Sequence, residues 1–419
     1  MVRQYSAFDS ATNLAVIGPL TPDAIDRIPG GFRQWALSPA SAAFRLARGP
    51  SGWRAVRRSS LEDAVSASIL RVAPGAEVVE LESIARSLDY ERFGVVLLVS
   101  SRFIAVSFAH RMSDGVGALA ALEQILSGRL ADEPRMSRVP SLRALRATGQ
   151  LNAASLRAGR EYLRAGHDAV AAAPLADPAL PTDGSTVRIA QFSISPRRLG
   201  ELAAAERATL TDGTSVPTTA VLVGLLFRSV RRTQPAQLDL PLQMLVGLRR
   251  HLGTGWSTRG NFALAAVLGT TRGRPWGATD YRDVVAPRLN SADALPAYVL
   301  HELIHLRSRL GRKRRPDVET AGAALLLSLS LITGRIGLGA ADYLPGEEPA
   351  DTMLMLTRGS ILGPHATIVA TGSRFVVTVI DDSATLNIAA LEGAFRAEEA
   401  ALLGGVDSLH DSAAGAHHL

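Results

Sequence analysis

His110, Asp114 and Gly115 are the residues of this chain whose types and spacing suit a shared chemistry. They lie in the run Phe108-Ala109-His110-Arg111-Met112-Ser113-Asp114-Gly115. A neutral imidazole can take a proton from an attacking hydroxyl or amine and later return it to a leaving thiolate. A carboxylate four residues on can hold the turn in place or cap a following helix. A residue without a side chain permits the turn and leaves room for a long thioester arm. Together they suit transfer of an acyl group from a thioester, with His110 as the base.

A second set competes with it. His301-Glu302-Leu303-Ile304-His305 is a literal HExxH. On a helix both histidines share one face and could bind zinc, with Glu302 as base of a hydrolase. No third histidine follows at the spacing such enzymes use. Arg307 is charged where they carry an apolar residue, and Arg312–Arg315 and Pro316 break the segment. A surface helix is the preferred reading of the run, with the zinc hydrolase as the alternative, and no bound metal is expected.

The elements around His110 are readable. Gly94–Val99 and Phe103–Phe108 are β-rich runs joined by Ser100-Ser101-Arg102, a hairpin signal. Alternation puts Ile104, Val106, Phe108 and His110 on one face. Val116, Leu119, Leu122, Ile125 and Leu126 then repeat at helical spacing, with Gly128 as the stop. His110 therefore falls at a strand-to-helix junction. Further on, strands are expected over Thr186–Ile194, Leu240–Val246 and Phe262–Gly269. Helices are expected over Pro196–Thr209, Thr218–Arg232 and Leu386–Leu403. A second hairpin is expected at Ala366–Thr371 and Phe375–Ile380. The apolar run Ala321–Thr333 reads as a buried helix. This interspersion predicts an α/β protein with a mixed sheet in each of two lobes.

Composition bounds the rest. The chain has 419 residues, more than one core usually serves. Pro174, Pro178, Pro181 and Gly184 mark a linker, giving an N-terminal lobe over residues 1–175 and a C-terminal lobe over 176–419. There is no cysteine, which excludes a thiol nucleophile, disulfides and thiolate metal sites. The start of the chain lacks the apolar core of a signal peptide, and no apolar run reaches the ~20 residues of a membrane span. A cytoplasmic protein is expected, with Arg312–Arg315 leaving peripheral membrane contact open. Lys313 is the only lysine among 45 basic residues. That bias is the mark of a high-GC, actinobacterial-type genome. The net charge of +6 is modest for this length, so nucleic acid is not expected as a partner. A mild positive field suits an anionic donor.

The motif and its order resemble the coenzyme-A-dependent acyltransferase superfamily. That group includes chloramphenicol acetyltransferase, condensation domains, wax ester synthases and polyketide-associated acyltransferases. Its HHxxxDG hallmark is matched by His110, Asp114 and Gly115, with Ala109 in place of the first histidine. Ser38-Pro39-Ala40 is a degraded form of the family's early His-Pro pattern. Val246-Gly247-Leu248-Arg249-Arg250 and then Gly260-Asn261 resemble its V-x-x-R and G-N. Thr357-Arg358-Gly359-Ser360 takes the place of its Ser-Asn-x-Gly strand end.

The resemblance implies a two-lobed, chloramphenicol-acetyltransferase-like sandwich with mostly antiparallel sheets and a channel between the lobes. It makes His110 the general base and Asp114 a structural residue paired with Arg249. Gly115 and Asn261 would line the channel, and Thr357 or Ser360 would donate to the oxyanion. No permanently bound cofactor is implied. Acyl-CoA or an acyl carrier protein is the co-substrate, and the acceptor is a small-molecule or lipid hydroxyl or amine. The expected protein is a monomer of lipid or secondary metabolism. The missing first histidine argues against peptide condensation and leaves an inactive binding scaffold as a further alternative.

Overall fold

The structure is a computed structural model describing residues 12–49, 52–110, 112, 115–130, 152–174, 187–210, 216–251, 263–310, 325–332, 351–357, 363–370 and 374–415. Its strands in chain order are β1 (Thr12–Gly18), β2 (Leu46–Gly49), β3 (Gly52–Ala55), β4 (Ile69–Arg71), β5 (Val95–Val99), β6 (Ile104–Ala109) and β7 (Arg188–Ile194). Then follow β8 (Pro241–Gly247), β9 (Ala263–Thr270), β10 (Leu327–Ile332), β11 (Asp351–Thr357), β12 (His365–Ala370) and β13 (Phe375–Asp381).

The first sheet has the order β11-β1-β6-β5-β4 among the described residues. Every residue of β1, β5 and β6 is buried. Such near-continuous apolar strands need cover on both faces. Helix α1 (Pro22–Leu37) supplies part of it. Thr21 Oγ1 accepts from the Ala24 amide at 3.5 Å, and Pro22 fits a helix start. Ile25, Ile28, Phe32 and Trp35 then point inward at helical spacing. The Trp35 ring lies 6.0 Å from Phe32 and 5.3 Å from Phe44. Helices α2 (Val78–Arg86) and α3 (Gly115–Ser127) also pack against β1 and β11.

The second sheet has the order β7-β13-β12-β10-β8-β9. Its β10 pairs parallel to β8 and β12, and its other pairs are antiparallel. The helices of this half are α4 (Ala153–Ala171), α5 (Pro196–Ala208), α6 (Thr218–Thr233), α7 (Ala294–Leu310) and α8 (Ile388–Gly415). Their apolar faces and one face of the sheet form a second core around Leu222, Phe227, Met244, Ile368 and Phe395.

The expected hairpins, the helix after His110 and the mixed, mostly antiparallel sheets are all present. Two features differ from expectation. Residues 327–332 form a strand in the middle of the second sheet, where a helix was predicted. A short apolar run cannot be assigned by period alone. Here the Leu/Ser alternation of Leu327-Ser328-Leu329-Ser330-Leu331 matches a strand with one polar face. The second is β11, a strand of the later half that leaves its neighbours in sequence and joins the edge of the first sheet. It pairs with β1 from Thr12↔Thr357 to Gly18↔Asp351. The linker expected over 172–185 falls mostly outside the described residues. No helix among them is long and apolar enough to cross a membrane.

Candidate active site

His110 follows the last residue of β6, and its side chain is buried to 4% exposure. The turn that carries it is built from both sides. The Ala109 amide donates to the Gly94 carbonyl at 3.1 Å, and the Met112 amide donates to the Ala109 carbonyl at 2.9 Å. Met112 is buried against Gly94. A Cβ at Gly94 would collide with the Met112 thioether and approach the Leu46 carbonyl at 3.1 Å. Glycine at 94 is thus what lets the chain tuck under the sheet before α3 begins at Gly115.

One row of the first sheet ends at this turn. Thr12 lies opposite both Ala109 and Thr357. Adjacent strands stand ~4.8 Å apart, so the backbone of Thr357 lies about 10 Å across the sheet from Ala109. Asn13, opposite Phe108 and Leu356, shares the face on which β6 presents Phe108. Behind the other face, Tyr90 Oη and Ser107 Oγ are 2.7 Å apart. Burial pushes the Tyr90 phenol well above its ordinary range, against the opposing pull of the Ser107 and Thr12 hydrogen bonds. This phenol stays protonated and acts as a fixed polar brace.

The helix that starts at Gly115 contacts β1 and β11 of the first sheet and β10 of the second. His110 therefore lies between the end of β6 and a helix that reaches both sheets. The halves are tied at another point. Arg86 on α2 pairs with Glu82 and with Asp382 at 3.5 Å, just past β13. Asp382 also accepts from the Gly363 amide at 3.1 Å. Burial raises the Glu82 carboxyl above its ordinary range, and Arg86 pulls it back down.

The other expected site residues are placed less fully. Arg249 lies in the helical turn Leu248–His251 after β8, and Thr357 closes β11. The side chains of both lie outside the described residues, as do Asp114, Asn261 and Ser360 entirely. The pairing of Asp114 with Arg249 stays an expectation.

The rival motif lies on α7. The first half of that helix is fixed by Leu295, Ala297, Tyr298 and Val299, all buried in the second core. Gly159 on α4 permits the contact, because a Cβ there would lie 2.7 Å from the Ala297 nitrogen. Further along, Leu303 is 48% and Ile304 44% exposed. His301 is half-buried, and the side chains of Glu302 and His305 lie outside the described residues. No cluster of three His, Asp or Glu able to hold a metal occurs among the described residues.

Sequence reasoning missed the second sheet's face toward the first half. Ile332, Val369 and Ile380 on that face pack into the first core. Between them run Ser330, Thr367, Thr378 and Gln191, which are successive cross-strand partners. In the next row Ser328 partners His365, whose Nε2 lies 3.4 Å from Ser330 Oγ. Gln243 donates to Ser328 Oγ. The Leu/Ser alternation of β10 was the one available signal of this polar face. Its neighbours across the sheet could not be known without the register.

No protein-family model matches the chain, and no curated protein matches it in sequence. Solved structures do match. A trichothecene 15-O-acetyltransferase, TRI3, from Fusarium sporotrichioides shares 12% identity at a TM-score of 0.61, covering 94% of this chain and 90% of that one. The condensation domain of the Monacolin K polyketide synthase MokA shares 13% at 0.54, covering 96% and 94%. Polyketide synthase associated protein 5 from Mycobacterium tuberculosis shares 15% at 0.53, covering 94% and 95%. This chain has the two-lobed fold common to coenzyme-A-dependent acyltransferases and condensation domains.

Proposed function

We propose that this protein is an acyltransferase that moves an acyl group from a coenzyme A or carrier-protein thioester to a hydroxyl, or an amine, of a lipid or secondary metabolite. The observation that carries the reading is His110. It is a buried histidine just past the end of β6, ahead of a helix that reaches both sheets, in a fold that also serves an O-acetyltransferase and condensation domains. Fold alone would not suffice for this reading, since one fold hosts many chemistries. What supports the reading beyond the fold is a buried histidine just past the end of β6, ahead of the helix that reaches both sheets.

In this mechanism the halves 1–175 and 176–419 flank a channel, with β11 lent back to the first. The imidazole of His110 takes the acceptor's proton as its oxygen attacks the thioester carbonyl. The tetrahedral oxyanion meets a hydroxyl donor, for which Thr357 and Ser360 are the candidates. The carbon–sulfur bond breaks, and the thiolate takes the proton from the imidazolium. The products are an ester and a free thiol. No acyl-enzyme forms. Asp114, through Arg249, holds the loop, and Gly115 and Asn261 border the thioester arm.

The test is free-thiol release from a panel of acyl-CoA thioesters with candidate alcohols and amines, with the ester or amide identified by mass. Acceptor-dependent release that is indifferent to chelators is expected. Release without acceptor, or hydrolysis abolished by a chelator, would replace this reading with a hydrolase.

A further inference from the structure

We infer that the polar strip across the second sheet is an acceptor-binding wall that selects a neutral small molecule carrying several hydroxyl or carbonyl groups over a plain alkyl alcohol. This rests on the acyl-transfer reading above. Ser330, Thr367, Thr378 and Gln191 lie side by side on four strands, with Ser328 and His365 in the next row. Ser328, His365, Thr367 and Thr378 are buried, and Ser330 and Gln191 are half-buried. The strip therefore faces the junction of the halves, shielded from bulk water but reached at its ends.

Such a strip costs stability unless its groups find partners. A valine would fill a threonine site on a strand without burying a hydroxyl. The flanking positions do use that solution, with Ile332, Val369 and Ile380 packed into the first core. The polar residues are thus confined to a band between apolar rows. The Gln191 amide nitrogen is buried and meets no acceptor among the described residues. A buried donor in that state is met by an acceptor atom of a ligand or by an ordered water. The rows hold no Asp, Glu, Lys or Arg, so the ligand they fit is uncharged where it touches them. Hydroxyls both donate and accept, which matches an acceptor with hydroxyl or carbonyl groups beside the one attacked.

The test compares hexane-1,2,6-triol with 1-hexanol, using the wild-type protein and a Thr367→Val/Thr378→Val double variant. Thiol release from acetyl- and octanoyl-CoA is measured, and ligand-observed NMR follows binding of both alcohols without thioester. The wild type should favour the triol about tenfold or more, and the double variant should lose most of that preference. An unchanged melting temperature shows that the variant is folded. Gln191→Leu gives a second, smaller loss.

A wild type without the preference, or a double variant that keeps it, overturns the wall while thiol release leaves the acyl-transfer reading intact. Triol binding that is lost in the variant, with no thiol released for any acceptor, upholds the wall and removes the acyl-transfer reading instead.

Discussion

Two histidine segments of this chain look equally suited to chemistry on paper, and the fold treats them differently. His110 ends a strand whose every residue is buried, in a turn braced by Gly94 and Met112, where α3 bridges two sheets. His301 lies half-buried on α7, beside the exposed Leu303 and Ile304. A base that must exclude water needs the first setting. The lesson is that spacing nominates a residue, while the elements on either side decide whether it can be held still.

The contrast can be broken first by stability. Phe108 is fully buried beside His110, with its ring 5.7 Å from Phe44. Phe108→Ala should cost about 3–5 kcal/mol in denaturant unfolding. A cost near zero would mean that the strand under His110 is not the rigid support described. Next comes the turn. Gly94→Ala forces Met112 aside and should cost about 1–3 kcal/mol. It should also depress turnover, and Gly94→Ala with Met112→Ala should recover part of both losses.

The tie between the halves gives a smaller and pH-dependent effect. Burial raises the Glu82 pKa above its ordinary 4.5. The folded state therefore holds this proton more tightly than the unfolded state. The stabilisation is fully present below pH 4.5 and is lost as pH rises through the raised value. Wild-type protein should lose ground against Glu82→Gln when melting temperatures are followed from pH 4.5 to 8. A gap that moves the other way would mean that the ion pair with Arg86 outweighs burial. Smallest of all, Leu303→Ala on the exposed turn of α7 should stay within about 0.5 kcal/mol. A larger loss would show that this surface is covered in solution.

Much of the site's frame was legible in the sequence because it is local. The β5–β6 hairpin, the junction at His110 and the helix to Ser127 each follow from period and turn residues within a few tens of positions. What was hidden is non-local. Strand β11 reads as an unremarkable run until its pairing with β1 is known, and that pairing brings Thr357 level with Ala109. The run at 327–332 was misassigned because its leucines suit a helix, whereas its serines declare a strand face only once β8 and β12 flank it. The polar strip arises from four strands far apart in sequence, so no single stretch announces it.

One variant bears most directly on His110 as the base. Acyl transfer to the acceptor accepted by the wild type should be compared in His110→Ala and His301→Ala, with and without a chelator. We expect turnover to fall by about 10²–10⁴ in the first. It should be unchanged in the second and insensitive to the chelator. Turnover that survives loss of the His110 imidazole, in a variant of unaltered melting temperature, would contradict the account.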